Sequence, residues 1–236
     1  MLRLILAPIV APLSDKPASP FFCADEWRRL DQISHPKRRA EYIAGHKLLR
    51  IAVNRYATDL GIELSSAEWI QPPASAPRLK HQPSLVTSIS HSQGWALIAI
   101  ASIDHTCARL GIDIELNRPR KNLAQLARYS FGKEWVEQHN HNLVEAFFLR
   151  WTQCESVVKA STKTLGTQLL SQQVFSDTHP IGIPGLSGRI NYPDLPEFTL
   201  SIAGPENNNA SLELFTPESN RFTALALDWQ SWWAAD

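Results

Sequence analysis

Two long helical stretches, each leading into strands, restrict what this chain can fold into. His35-Pro36 opens the first, since proline suits a first helical turn where its missing N–H would have no partner anyway. From about Lys37 to Tyr56 the residues Tyr42, Leu49, Ile51 and Val53, with Ala44 and Ala52 between, fit helical spacing rather than alternation. The second stretch begins at Asn142 and runs to about Thr164, where Leu165-Gly166 ends it. Its Leu143, Phe147, Trp151, Cys154 and Val158 step by four, four, three and four, an apolar stripe on one side of a helix. The first helix leads to a hairpin: strand Leu85–Ile89, a turn at Ser90-His91-Ser92-Gln93-Gly94, and strand Trp95–Ser102. The second leads to strands over Leu169–Phe175, Gly188–Tyr192, Phe198–Ala203, Ala210–Phe215 and Phe222–Trp229. Thr87-Ser88-Ile89-Ser90 echoes Thr199-Leu200-Ser201-Ile202-Ala203, a faint internal repeat. The pattern predicts an α+β fold of two pseudo-symmetric α+β lobes, residues 1–104 and 105–236. They join near residues 103–109, with a cleft between them as the expected ligand site.

Five smaller elements complete the reading. A strand is expected over residues 2–10, and a short helix over Asp25–Leu30. Between Leu110–Glu115, read as a strand, and the second long helix lie two short helices, Leu123–Tyr129 and Lys133–Gln138.

Charge narrows the partners. The formal net charge is zero, so bulk electrostatics gives no reason to expect nucleic acid or an anionic membrane. No apolar run approaches the length of a membrane span, and the N-terminus lacks a basic leader. Cys23, Cys107 and Cys154 are too scattered for a disulfide framework or a zinc site, which fits a reduced, cytoplasmic setting. A monomer is the expected state.

Five places are candidates to carry chemistry. In Leu110–Glu115, side chains alternate, so Ile112 and Ile114 share one face while Asp113 and Glu115 share the other. Two carboxylates that close repel, and a cation such as Mg²⁺ held between them would relieve this. A plain half-buried edge strand with a solvated acidic face is written the same way, and the hexapeptide leaves both open. In the second long helix Glu155 and Lys159 lie roughly 40° apart around the axis, either as an ordinary surface ion pair or as part of a site. Lys37, Arg38 and Arg39 crowd the first turn of the first helix against its dipole, a cost that a bound anion would rationalise. The proline-rich connection Pro72–Pro83 holds Arg78 and Lys80. Ser90-His91-Ser92 has no carboxylate at a recognisable spacing, so a Ser-His-Asp hydrolase fits poorly. Cys154 lies on the apolar stripe and reads as a packed small hydrophobe.

In combination the motifs are more specific than any one alone. Arg38-Arg39-x₅-Gly45-x-x-Leu48-Leu49, Ile89-Ser90-His91-Ser92, Gly111-Ile112-Asp113-Ile114-Glu115 and Trp151-Thr152-x-x-Glu155-Ser156-x-x-Lys159 follow one another in an order that resembles the 4′-phosphopantetheinyl transferase superfamily, of the two-lobed type. The shorter bacterial members that act as holo-acyl-carrier-protein synthases are the nearest in character. The resemblance implies transfer of the phosphopantetheine of coenzyme A to a serine of an apo acyl or peptidyl carrier protein, with Mg²⁺. It implies Asp113, Glu115 and Glu155 as metal ligands, Glu155 also as the base, and Lys159 on the phosphates. It further implies Asp113, Ser90, His91, Arg38, Arg39, Arg78 and Lys80 as the residues around coenzyme A. Cys154 departs from the family, which usually has lysine there, and the expectation is that Cys154→Lys keeps or raises activity. Two rival readings are a non-catalytic coenzyme A or carrier-protein binding module with the same fold, and a Mg²⁺-dependent phosphohydrolase.

Overall fold

In the computed structural model, which describes residues 2–11, 13–18, 21–63, 68–72, 75–103, 110–161, 184–204 and 210–233, the first strand, β1 (Leu2–Pro8), lies inside a sheet and not at its edge. Leu4, Ile5 and Leu6 are fully buried in succession, as a strand covered on both faces requires. The chain divides into two units, Met1–Ala108 with Asn207–Ala226, and Arg109–Glu206 with Leu227–Asp236.

The first unit contains α1 (Ala24–Asp31), α2 (Pro36–Tyr56), β2 (Trp69–Ile70), β3 (Arg78–Leu79), β4 (Leu85–Ser92) and β5 (Trp95–Ser102). Two strands from late in the sequence join it, β9 (Ala210–Thr216) and β10 (Arg221–Leu225). Among the described residues these form a five-stranded sheet in the order β10-β9-β1-β5-β4. β1 runs antiparallel to β5 and parallel to β9, with Leu2 opposite both Ala101 and Ala210. Strands β9 and β10, beyond the 104/105 boundary expected from sequence, thus extend the sheet that the first residues begin. The core gathers Ile5 from β1, Leu48, Leu49 and Val53 from α2, and Ile98 and Ile100 from β5.

Helix α1 is tied to α2 by a buried polar knot that the sequence did not advertise. Glu26 is fully buried, and its carboxylate accepts from His46 Nδ1 at 2.6 Å, from Arg50 at 2.5 Å and from the Cys23 backbone N–H at 2.8 Å. The last bond is half of a capping box at the start of α1. Burial by itself would raise the Glu26 pKa, but the hydrogen bond from His46 and the charge of Arg50 prevail and bring it down to about 2. Burial holds the His46 pKa below its ordinary value, so the ring donates as a neutral imidazole and Arg50 carries the balancing charge.

The second unit holds β6 (Gly111–Leu116), α3 (Leu123–Phe131), α4 (Lys133–Gln138), α5 (Leu143–Ala160), β7 (Pro184–Ile190), β8 (Phe198–Ala203) and β11 (Gln230–Trp233). Among the described residues its sheet runs β11-β7-β8-β6, antiparallel throughout, with β6 at one edge. α5 packs over β6 and β8 on one side, and its Phe147 and Phe148 meet Leu123, Ala127 and Val136 of α3 and α4 on another. The approach to β6 is close enough that it depends on a missing side chain. A Cβ at Gly111 would stand 1.9 Å from the Ser156 carbonyl oxygen and 2.5 Å from the Ala160 nitrogen, both backbone atoms of α5.

Several expected boundaries move. β4 continues through Ser90, His91 and Ser92, and the turn shrinks to Gln93-Gly94, both at positive φ (48° and 87°). A two-residue turn of that kind matches the twist of the flanking strands better than a five-residue loop. The last expected strand, Phe222–Trp229, ends early as β10, which pairs with β9, and a further strand that was not expected, β11, follows it and pairs with β7 in the other sheet. Within the proline-rich connection, Arg78 and Leu79 pair with Ile70 and Trp69. The expected strand over 169–175, the last residues of the long helix at 162–164 and the junction at 104–109 lie outside the described residues.

Because the Glu26 charge is buried against Arg50, its removal should be costly. Glu26→Gln is expected to destabilise the protein by about 3–5 kcal/mol in urea unfolding at pH 7. The carboxylate's pKa is depressed from 4.5 to about 2 on folding, so its contribution is complete above pH 4.5 and disappears as pH falls through about 2. The gap between wild type and Glu26→Gln should close over that acidic window, and a gap constant with pH would show that the charge is not what matters.

Candidate functional site

The edge strand β6 and helix α5 meet at three charged residues. Asp113 is 5% exposed, and its Oδ1 accepts from the Lys159 ammonium at 2.8 Å. The same ammonium donates to the Ile112 carbonyl at 3.0 Å, so Lys159 reaches back from α5 to hold β6 at two points. Glu155 lies one turn before Lys159 on the helix. Burial pushes its pKa up, the negative charge of Asp113 pushes it further, and Lys159 pulls it partly back. That response marks Asp113 and Glu155 as close enough to repel. Helical geometry explains the convergence, since positions four apart share a face, and the bare Gly111 backbone lets that face descend onto β6.

Glu115 shares a face with Asp113, as alternation predicts, but its carboxylate is engaged by Arg120 at 3.2 Å. Among the described residues no group of three or more His, Cys, Asp or Glu could hold a metal as placed. The donors that do stand together, Asp113 and Glu155, are hard oxygens whose mutual repulsion a divalent cation would relieve. A hard cation that takes one or two carboxylates and completes its shell with water or phosphate oxygens fits them.

In the first unit the candidate residues separate. His91 projects from β4, its side chain 46% exposed, with Nδ1 3.5 Å from the Glu41 carboxylate of α2. Ser90 and Ser92 face the other way and are buried. The carboxylate partner that the sequence spacing did not reveal is therefore Glu41, fifty positions away. Glu41 also lies 3.9 Å from Lys37, which offsets part of the positive charge at the helix start. Arg38 is exposed on the same first turn. Arg39 instead donates to the Leu30 carbonyl at 2.6 Å, closing the end of α1. Lys80 is held by Glu68 through two bonds of 3.0 and 3.1 Å on the short β2–β3 ribbon, where Arg78 is exposed. The structure thus brings Asp113, Glu155 and Lys159 together, and it brings His91 to Glu41. Arg39 and Lys80 are engaged by neighbours.

Cys154 is the packed residue that the apolar stripe predicts. It is 3% exposed, and burial raises its thiol to about 11. It faces away from the side of the helix that carries Glu155 and Lys159.

Comparison with known proteins adds an independent line. Residues 27–101 match the family model of the 4′-phosphopantetheinyl transferase N-terminal domain. The chain is 28% identical over 145 residues to the 4′-phosphopantetheinyl transferase HetI of Nostoc sp., covering 58% of each chain. It is 24% identical over 174 residues to the putative 4′-phosphopantetheinyl transferase slr0495 of Synechocystis sp., covering 70% of this chain and 67% of that one. The match to the first relative thus spans less than two thirds of its length.

The elevated Glu155 pKa should respond to its two charged neighbours in opposite senses. By carbonyl ¹³C NMR, Asp113→Asn should lower it and Lys159→Met should raise it further. A carboxyl whose folded pKa lies above its unfolded value gives stability that is full below the unfolded value and lost as pH rises through the folded one. Glu155→Gln should therefore melt with wild type in acid and above it at pH 7. A variant less stable than wild type at pH 7 would contradict the repulsion.

Proposed function

We propose that this chain, a member of the 4′-phosphopantetheinyl transferase superfamily by its matches, transfers the 4′-phosphopantetheine of coenzyme A to a serine of an apo acyl or peptidyl carrier protein. The observation that carries this reading is the trio of Asp113, Glu155 and Lys159 on β6 and α5. In the reaction the serine hydroxyl oxygen attacks the β-phosphorus of coenzyme A. An O–P bond forms, the bond from that phosphorus to the bridging oxygen breaks, and adenosine 3′,5′-bisphosphate leaves.

Glu155 takes the serine proton, directly or through a water. A carboxylate with a raised pKa is a better base near neutral pH than an ordinary one, because it holds the proton it has taken. Lys159 offers its ammonium to the phosphate oxygens as charge shifts to the leaving group. Mg²⁺, held by Asp113 and Glu155 with Glu115 as the third carboxylate, would neutralise charge on the pyrophosphate. For Glu115 this means exchanging its Arg120 contact for the ion. Arg38 and Arg78, both exposed, and His91, half exposed beside Glu41, are the residues we assign to the nucleotide's 3′-phosphate end. Ser90, Arg39 and Lys80 complete that assignment, the last two on condition that they leave the partners they now hold. The setting we assign is cytoplasmic and monomeric. Among the described helices none is long and apolar enough to cross a membrane.

A second reading rests on Cys154. A buried thiol stands where the family usually has lysine, and one phosphate contact is thereby absent. A non-catalytic coenzyme A or carrier-protein binding module with this fold would tolerate that loss.

One experiment separates the two. With apo carrier protein, coenzyme A and Mg²⁺, the carrier should gain the mass of phosphopantetheine. Asp113→Ala and Glu155→Gln should each slow the gain by about 10²-fold or more. Binding of coenzyme A with no mass change on any of several acyl and peptidyl carriers would establish the binding module instead. The burial of Cys154 also reverses the expectation for its replacement. Cys154→Lys must force an ammonium-bearing side chain into a filled position, and is now expected to cost about 1–3 kcal/mol and to lower activity. Unchanged melting with raised activity would restore the sequence-based expectation.

A further inference from the structure

The face of α5 that meets the sheet carries hydroxyls where a helix–sheet interface ordinarily carries hydrocarbon. Thr152, Ser156 and Ser201 are fully buried, and Ser187 is 2% exposed. Three of them are linked in sequence. Thr152 Oγ1 donates to the Leu149 carbonyl at 3.0 Å, so it can only accept in its 2.8 Å bond with Ser201 Oγ. Ser201 therefore donates to Thr152 and accepts from Ser187 Oγ at 2.7 Å. The chain has one direction, Ser187 to Ser201 to Thr152 to the Leu149 carbonyl, and each hydroxyl proton has a partner.

The position of this chain is informative. Ser201 stands directly opposite Asp113 on one side and Ser187 on the other, so the three lie in a row across β6, β8 and β7 on one face of the sheet. On α5, Thr152, Glu155, Ser156 and Lys159 stand at i, i+3, i+4 and i+7, a single helical face. The residue that α5 uses to bond the sheet thus shares a face with the two that meet Asp113.

Valine and alanine at these three positions would pack comparably, since a buried hydrogen bond adds only about 1 kcal/mol net. What apolar contacts do not supply is direction. A helix resting on hydrocarbon can turn or slide by a fraction of an ångström at little cost, whereas a satisfied hydroxyl chain fixes both its rotation and its level. The 2.8 Å contact of Lys159 with Asp113 needs that precision.

We propose that the Ser187–Ser201–Thr152 hydroxyl chain is a positioning device, which sets the rotation of α5 so that Glu155 and Lys159 face Asp113. The proposal rests on the reading of those three residues as the transfer site, but part of its test does not. In the full-length protein, the Lys159 ammonium held by Asp113 should give a resolved ¹H–¹⁵N signal, assigned by its loss in Lys159→Met. Thr152→Val removes the hydroxyl and nearly keeps the shape, and should abolish or shift that signal. Thr152→Ser keeps the hydroxyl and should preserve it. In the transfer assay Thr152→Val should lower kcat by about tenfold, leaving the KM for coenzyme A within about twofold, as misaligned catalytic groups require. Thr152→Ser should recover most of the rate. A folded Thr152→Val with an unchanged ammonium signal and unchanged kcat overturns the proposal, as does a Thr152→Ser as impaired as Thr152→Val. If Thr152→Val does not fold, Ser201→Ala carries the same test, since it breaks the chain while leaving the Thr152 bond to Leu149. Should the wild type transfer nothing, the transfer reading fails and the ammonium signal alone decides the positioning.

Discussion

The contact of α5 with β6 at Gly111 is the constraint on which the second unit's site depends. With backbone atoms of Ser156 and Ala160 where a Cβ would stand, the helix lies on the strand with no side chain between them. At that separation the Lys159 stem folds back to reach both the Ile112 carbonyl and Asp113. A helix at the usual distance from a sheet would leave the ammonium in solvent, and Asp113 buried beside Glu155 with less to balance it. The glycine at the head of β6 is therefore as much a part of the site as the carboxylates that follow it.

The first unit joins its long helix to its neighbours by different means. There the α2 face toward the sheet is hydrocarbon, and polar precision is kept for the other side, where Glu26, His46 and Arg50 bind α1. Arg50 also lies over the rings of Phe22 and Trp69, so the charged group is enclosed by aromatic faces and not by water. A buried ion pair of this kind is weak as a source of stability but severe when broken. It ties α1 to α2, and α2 carries the Arg38 and Glu41 positions next to β4 and His91.

The helices and the apolar strands were legible because their signals are periodic. α2, α4, β5 and β8 lie within a residue or so of where spacing puts them, and Asp113 and Glu155 emerge from alternation and helical phase. Where the sequence misled, polar residues were doing structural work. Ser90 and Ser92 are buried strand residues that resemble a turn, because serine is common in turns and its hydroxyl can equally be satisfied inside a sheet. Nothing local marks Glu26 as a buried residue, since its partners His46 and Arg50 lie one helical turn apart on another helix, twenty or more positions on. The addition of β9 beside β1 was out of reach for the same reason. Parallel pairing of strands some two hundred residues apart leaves no trace in either segment. Arg39 and Lys80 show what a sequence leaves out about a cation. A cluster of cations reads as an anion site until the carbonyl or carboxylate that each one serves is seen.

The charge balance at the site bears on the order of events under the proposed function. Glu115 is matched by Arg120, which leaves Asp113 and Glu155, two negative charges, against the single positive charge of Lys159, a net of −1. A pyrophosphate approaching such a site meets repulsion, and the low dielectric of a buried Asp113 strengthens it. Two changes would remove that net negative charge: protonation of Glu155, which its raised pKa favours and which brings the balance to zero, or arrival of a divalent cation, which turns it positive. Only the second leaves Glu155 free to accept a proton from the attacking serine. Under the proposed function, binding of coenzyme A by this chain should therefore depend strongly on divalent cation. That dependence would appear in the binding constant as well as in the rate.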